Sequence, residues 1–135
     1  MRVARIRIGR FRGYRHAALV VPDNMVLAGE PQAGRTDIVE ALRRVLDARS
    51  TRSRVNPLDV YRPADGDEES LTEVEVTLLD LGEDLETLLS ENLETFDRAT
   101  GEIATPSNAG DAVLGVRLCY RARYDLDTDT GEHWV

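Results

Sequence analysis

Residues 25–46, Met25-Val26-Leu27-Ala28-Gly29-Glu30-Pro31-Gln32-Ala33-Gly34-Arg35-Thr36-Asp37-Ile38-Val39-Glu40-Ala41-Leu42-Arg43-Arg44-Val45-Leu46, decide how this chain is read. The apolar run Met25 to Ala28 predicts a short buried strand, and Gly29 to Gly34 a tight loop bounded by glycines. A helix is then expected to open at Arg35 or Thr36, with Val39, Leu42, Val45 and Leu46 as its buried stripe. The loop and its exit, Gly29 to Thr36, follow G-x-x-x-x-G-[K/R]-T, one residue away from the glycine-rich pattern that wraps phosphates. In such a loop successive backbone N–H groups point at the anion and the helix start adds partial positive charge. The threonine hydroxyl, here Thr36, binds magnesium. The lysine that reaches the terminal phosphates is replaced by Arg35, whose planar fork is bulkier than a point charge on a slender stem.

Outward from this stretch, Arg2 to Phe11 alternates Ala4, Ile6 and Ile8 against Arg5 and Arg7, the pattern of a half-buried strand. Arg12 to His16 reads as a turn and Ala17 to Val21 as a second strand, stopped by Pro22-Asp23-Asn24. Past the helix, Arg49 to Asn56 reads as a loop and Leu58 to Tyr61 as a short strand ended by Pro63. Ala64 to Ser70 reads as an acidic solvated loop, and Thr72 to Asp80 as a strand with one wet face. Glu83 to Asp97 places Leu85, Leu88, Leu89, Leu93 and Phe96 at helical spacing and predicts a second helix. Ala104 to Gly110 reads as a loop and Val116 to Tyr124 as a long alternating strand. Asp127 to Gly131 is a hairpin turn, and Glu132 to Val135 a returning strand broken off partway, as in a truncated fragment.

The 135 residues suffice for one domain with its own core. All 17 basic residues are arginine, and they are segregated: 13 of them, against 6 acids, lie before Ala64. The net charge of −8 therefore arises entirely from the second half. An acidic chain is a poor non-specific nucleic-acid binder, so DNA contact would need the arginine-rich front or a partner. For Arg5, Arg7, Arg10, Arg12 and Arg15 the plainer reading is a solvated strand face. One cysteine, Cys119, excludes an internal disulfide framework, and with no signal-peptide or membrane-span run the expected setting is a reducing cytoplasm. Cys119 is expected to pack on a sheet face. His16 and His133 show no zinc spacing, and the Asp125, Asp127 and Asp129 alternation lacks the twelve-residue calcium pattern.

Two linked segments carry a family resemblance. Ile6-Arg7-Ile8-Gly9-Arg10-Phe11-Arg12-Gly13-Tyr14 is similar to "I-x-I-x-N-F-R-x-Y/F", and Val26 to Thr36 is similar to "V-L-x-G-E-N-G-A-G-K-T". Ile38-Val39-Glu40-Ala41-Leu42 also fits a "hydrophobic-hydrophobic-E-A-L" helix. Together, over about the first 48 residues, they resemble the N-terminal lobe of ABC-type P-loop ATPase heads of the RecF, SMC and OLD (overcoming-lysogenization-defect) group. The resemblance implies an α/β P-loop lobe spanning residues 1–135, with an antiparallel β portion and two main helices. Residues 1–48 would supply strands, P-loop and helix, and 49–135 a strand, helix and hairpin. It implies ATP and Mg²⁺ as ligands. Gly29, Glu30, Pro31, Gln32, Ala33, Gly34, Arg35, Thr36 and Asp37 would surround the phosphates, Arg12 would approach them, and Thr36 would bind the metal.

The departures from the family pattern are specific. Pro31 stands for Asn and removes a backbone donor. Gln32 stands for Gly, which matters where the loop needs a positive φ. Gln32 is also the only glutamine, leaving no Q-loop. The signature motif, Walker B pair and switch histidine are absent, so hydrolysis by this chain alone is not expected. The implied role is nucleotide binding or sensing within a DNA-repair or anti-phage assembly, with a partner ATPase or nuclease chain, a second copy, or a missing C-terminal region completing the site. The alternative is a degenerate, non-enzymatic module that keeps the fold and binds a protein or DNA.

Overall fold

Alternating side chains build most of this molecule: six strands form one sheet, and one amphipathic helix covers it. The computed structural model describes residues 1–50, 53–62, 71–107, 109–125 and 127–134. The strands are β1 (Arg2–Phe11), β2 (Tyr14–Val20), β3 (Thr72–Leu79), β4 (Glu94–Asp97), β5 (Ala112–Asp125) and β6 (Thr130–Trp134). They pair in the order β2-β1-β3-β5-β4, with β6 on the far end of β5, and every pairing is antiparallel. The helices are α1 (Arg35–Leu46) and the short α2 (Glu83–Leu88). Because β3 inserts beside β1, residues before and after position 49 share one sheet.

The strand alternation sets the two faces. Ile6, Ile8, Val74, Val76, Leu78, Val116 and Tyr120 are buried in one cluster with Ile38, Ala41 and Val45 of α1. Each such Ile or Val contributes roughly 1.5–3 kcal/mol on burial. The opposite face carries cross-strand charge pairs. Arg7 meets Glu75 at 3.5 Å, Arg117 meets Glu75 at 3.7 Å and Glu94 at 2.9 Å, and Arg121 meets Glu73 at 2.7 Å. Arg5 reaches Glu102 at 2.7 Å. These pairs neutralise much of the arginine face with the chain's own acids. A register shift between Val3 and Arg5 turns Ala4 toward a second small cluster with Leu79 and Phe96.

Four sequence expectations are corrected. Met25 to Ala28 forms no strand: its backbone makes no hydrogen bond with any described residue, Val26 is 89% exposed, and only Leu27 touches the core. An apolar run reports affinity for a sheet, and no neighbouring strand lies beside it here. The buried stripe of α1 is rotated by about one residue. Ile38, Ala41 and Val45 face the sheet, Leu42 is partly covered, and Val39 and Leu46 stay exposed on a shared helix face.

The helix expected over Glu83 to Asp97 ends at Leu88. A 3₁₀ turn follows at Ser90–Asn92, where Ser and Asn favour turns over helix interiors, and then comes β4. Pairing with Ala112 to Gly115 and burial of Phe96 against Leu79 override the leucine spacing. Leu58 to Tyr61 is a 3₁₀ turn at Pro57–Asp59 followed by a single bridge from Val60 to Phe11. Pro63 and the acidic stretch 64–70 lie outside the described residues. Among the described residues, no helix is long and apolar enough to cross a membrane.

Candidate functional site

The segment from Gly29 to Asp37 links the exposed Met25–Ala28 stretch to α1. Its local chemistry dictates its shape. Pro31 fixes φ near −65° and suits the second position of a four-residue turn. The turn closes with the Ala33 amide donating to the Glu30 carbonyl at 3.1 Å. Gln32 takes the third position with φ 69°, the arrangement of a type II turn, which favours glycine there. The position of Gln32 therefore requires a left-handed backbone.

Gly34 follows as the N-cap of α1 with φ 81° and ψ 6°. A Cβ at this position would lie 2.6 Å from the Tyr14 hydroxyl and 3.0 Å from its Cζ, so only glycine fits on both counts. Tyr14 donates to the Gly34 carbonyl at 3.3 Å, and the Asp37 and Ile38 amides donate to the same oxygen at 3.0 and 3.2 Å.

No side chain caps α1. The amides of Gly34, Arg35 and Thr36 make no hydrogen bond with any described residue, and both side chains at 35 and 36 are exposed. Arg35 lies against the loop, its Cδ 3.8 Å from where a Cβ on Gly29 would stand. It forms no ion pair with any described residue, and neither does Glu30. The result is a solvent-facing helix start with unsatisfied donors and a cation beside it. No cluster of three His, Cys, Asp or Glu that could hold a metal occurs among the described residues. The exposed Thr36 hydroxyl suits a magnesium ion that takes most of its ligands from phosphate and water.

Arg12 is where the sequence puts it, at the β1–β2 turn next to α1, but its charge is already engaged. Its Nε donates to Asp59 Oδ1 at 2.8 Å, and its terminal nitrogens stand 3.5 Å from Asp37 and 3.9 Å from Glu40. Arg44 of α1 donates to the other Asp59 oxygen at 2.6 Å. Asp59 is 0% exposed, and its carbonyl accepts from the Arg12 amide at 2.9 Å. Burial disfavours the Arg12 charge, yet the Asp59 and Asp37 carboxylates outweigh it and hold the guanidinium above its usual range. Removing one partner of such a buried pair costs about 3–5 kcal/mol, because the remaining charge is left uncompensated. Sequence reasoning missed Asp59 and Arg44. Turn-forming Asn56-Pro57 before an isolated acid was the only local signal, and pairing 47 positions away leaves no local trace.

The arginine face and the other singled-out residues lie elsewhere. An open depression of about 590 Å³ on the face away from α1 is lined by Arg7, Gly9, Arg10, His16, Ala18 and Glu73, and includes none of residues 29–37. Cys119 is half-buried on β5. Desolvation, then the Glu73 charge, pushes its thiol up to about 11, which is the opposite of nucleophile activation. Asp125 caps the β5–β6 turn, accepting from the Asp127 amide at 2.9 Å and the Thr128 amide at 3.3 Å, and so acts as a turn former.

Fold and site together define a small antiparallel α/β domain in which the start of α1 has no side-chain cap and follows a glycine-bounded loop. Comparison with protein-family models and with curated proteins yields no match to this chain.

Proposed function

We propose that this chain is the phosphate-binding lobe of an OLD/RecF-like ATPase, taking ATP with Mg²⁺ in a DNA-repair or anti-phage assembly and not hydrolysing it alone. One observation carries the reading. Behind Gly34 in its left-handed N-cap, the amides of Gly34, Arg35 and Thr36 make no hydrogen bond with any described residue at the solvent-facing start of α1. Such a start binds phosphate through its donors and its dipole. Arg35 would neutralise phosphate charge and Thr36 would hold the magnesium, which when bound supplies further charge neutralisation. Gln32 in a left-handed conformation supports descent from a glycine-bearing loop. The acids beside α1, Asp37, Glu40 and Asp59, are engaged with Arg12 and Arg44, so a partner chain would complete any hydrolytic site.

The test is a thermal melt with and without millimolar ATP–Mg²⁺. The expected result is a rise in melting temperature that Thr36→Ala abolishes. No rise for the wild-type chain rejects the nucleotide reading.

The second reading, a non-enzymatic interaction module, is favoured by a different observation. The unpaired backbone of Met25–Ala28, the 89% exposed Val26 and the exposed Val39–Leu46 helix face suit an added strand and a packed partner surface. A chain that ignores nucleotide but loses partner binding on Val26→Asp would fit that reading alone.

A further inference from the structure

We propose that Asp59 is a positioning residue for the phosphate site, holding Arg12 so that its terminal nitrogens stand at the first turn of α1 and exchange Asp37 for a ligand phosphate. The inference rests on the phosphate-binding reading above and adds a residue that no motif marks.

The two ends of the Arg12 guanidinium are held unequally. Nε meets Asp59 at 2.8 Å, within the range of a strong charge-assisted hydrogen bond. The contacts of Nη1 to Asp37 and Nη2 to Glu40 are 3.5 and 3.9 Å, long for such bonds. One end is therefore anchored, while the other is loosely held by carboxylates on the first two turns of α1. Asp37 is three residues past Gly34 and one past Thr36, so the loose end lies beside the first turn of α1.

Asp59 is itself fixed from several sides. Arg44 occupies its second oxygen at 2.6 Å, and its carbonyl accepts the Arg12 amide. Tyr61 donates to the Arg10 carbonyl at 3.0 Å, tying the same segment to β1. A free arginine loses much rotamer freedom when it clamps an anion. Asp59 has removed that freedom before the ligand arrives. Without Arg12, the Asp37 carboxylate in the first turn would also repel an incoming phosphate.

Affinity for Mg²⁺–ATP and Mg²⁺–tripolyphosphate, measured calorimetrically, tests this, with a thermal melt of each variant as the folding control. Arg12→Gln and Asp59→Asn are each expected to weaken both ligands by about tenfold. The double variant should bind no more weakly than Arg12→Gln alone, since Asp59 acts only through Arg12. Arg121→Gln breaks a charge pair on the opposite face of the sheet, so it should bind within about twofold of wild type. Where Asp59→Asn alone does not fold, Asp59→Asn with Arg44→Met removes the orphaned buried charge and carries the same comparison against Arg44→Met. Wild-type affinity in the Asp59 variants, losses that add, or an equal loss in Arg121→Gln would overturn the proposal while leaving the phosphate site standing. A wild-type chain that binds neither ligand removes both.

Discussion

Gly34→Ala is the substitution whose cost follows most directly from the geometry. The position has φ 81°, where a Cβ costs about 1–2 kcal/mol. That Cβ would also lie 2.6 Å from the Tyr14 hydroxyl and 3.0 Å from Cζ. Overpacking of this kind adds roughly 1–3 kcal/mol when the neighbour must shift. The loss of unfolded-state freedom returns about 0.4–1 kcal/mol. The net expectation is a destabilisation of about 1–4.5 kcal/mol. With a urea slope of about 2 kcal/mol/M, the unfolding midpoint falls by roughly 0.5–2 M at unchanged slope. The two causes separate in a Tyr14→Leu background, where the phenol is gone and the strain remains. There Gly34→Ala should cost only about 1 kcal/mol. A cost below about 0.5 kcal/mol in the wild-type background, or one unchanged by Tyr14→Leu, would refute the reasoning.

Gln32→Gly relieves a left-handed residue at φ 69° and should raise stability by about 0.5–1 kcal/mol after the entropy of glycine is counted, read from the same urea curves; a loss would mean the conformation is not strained. Cys119 should resist alkylation at pH 8 and show a rate inflection near 11; an inflection near the ordinary thiol value of roughly 8.5 would contradict its desolvation by the sheet. Several carboxylates are held below their ordinary range: Asp97 by hydrogen bonds from Thr100, Asp80 by one from Arg2, and Asp125 by those of its own turn. Their stabilisation is complete above the unfolded value of about 3.9 and is lost as pH falls through the lowered folded values. Urea midpoints should therefore be level from pH 6 to about 4 and fall below it, with a shallower fall in Asp97→Asn; a level profile down to pH 2 would rule these contributions out.

Strands with a strict two-residue period were legible in the sequence. Arg2 to Phe11 and Thr72 to Asp80 coincide with observed strands to within a residue at their ends, and Val116 to Tyr124 lies within one, because their alternation matches a sheet. The face of β3 expected to be wet is nonetheless buried at Thr77 and Leu79. The tight loop from Gly29 to Gly34 and the helix opening after it were legible from the glycines and their spacing. What failed depended on neighbours that a local pattern does not encode. Met25–Ala28 has the composition of a strand and no partner beside it. Leu93 and Phe96 extend a helical spacing, yet Phe96 belongs to the pairing with β5. Val39 and Leu46 were assigned inward because they are apolar, whereas the smaller Ala41 is what fits against the sheet. The charge pair between Arg12 and Asp59 was invisible for the same reason.

Whether the start of α1 cradles an anion is read residue by residue by backbone amide NMR. Titrating the ¹⁵N-labelled chain with Mg²⁺–ATP should move the Gly34, Arg35 and Thr36 amides first and furthest, saturating together, with Arg12 side-chain resonances following. If those three amides stay still at millimolar ligand while others shift, or none shift, the cradle is empty of function.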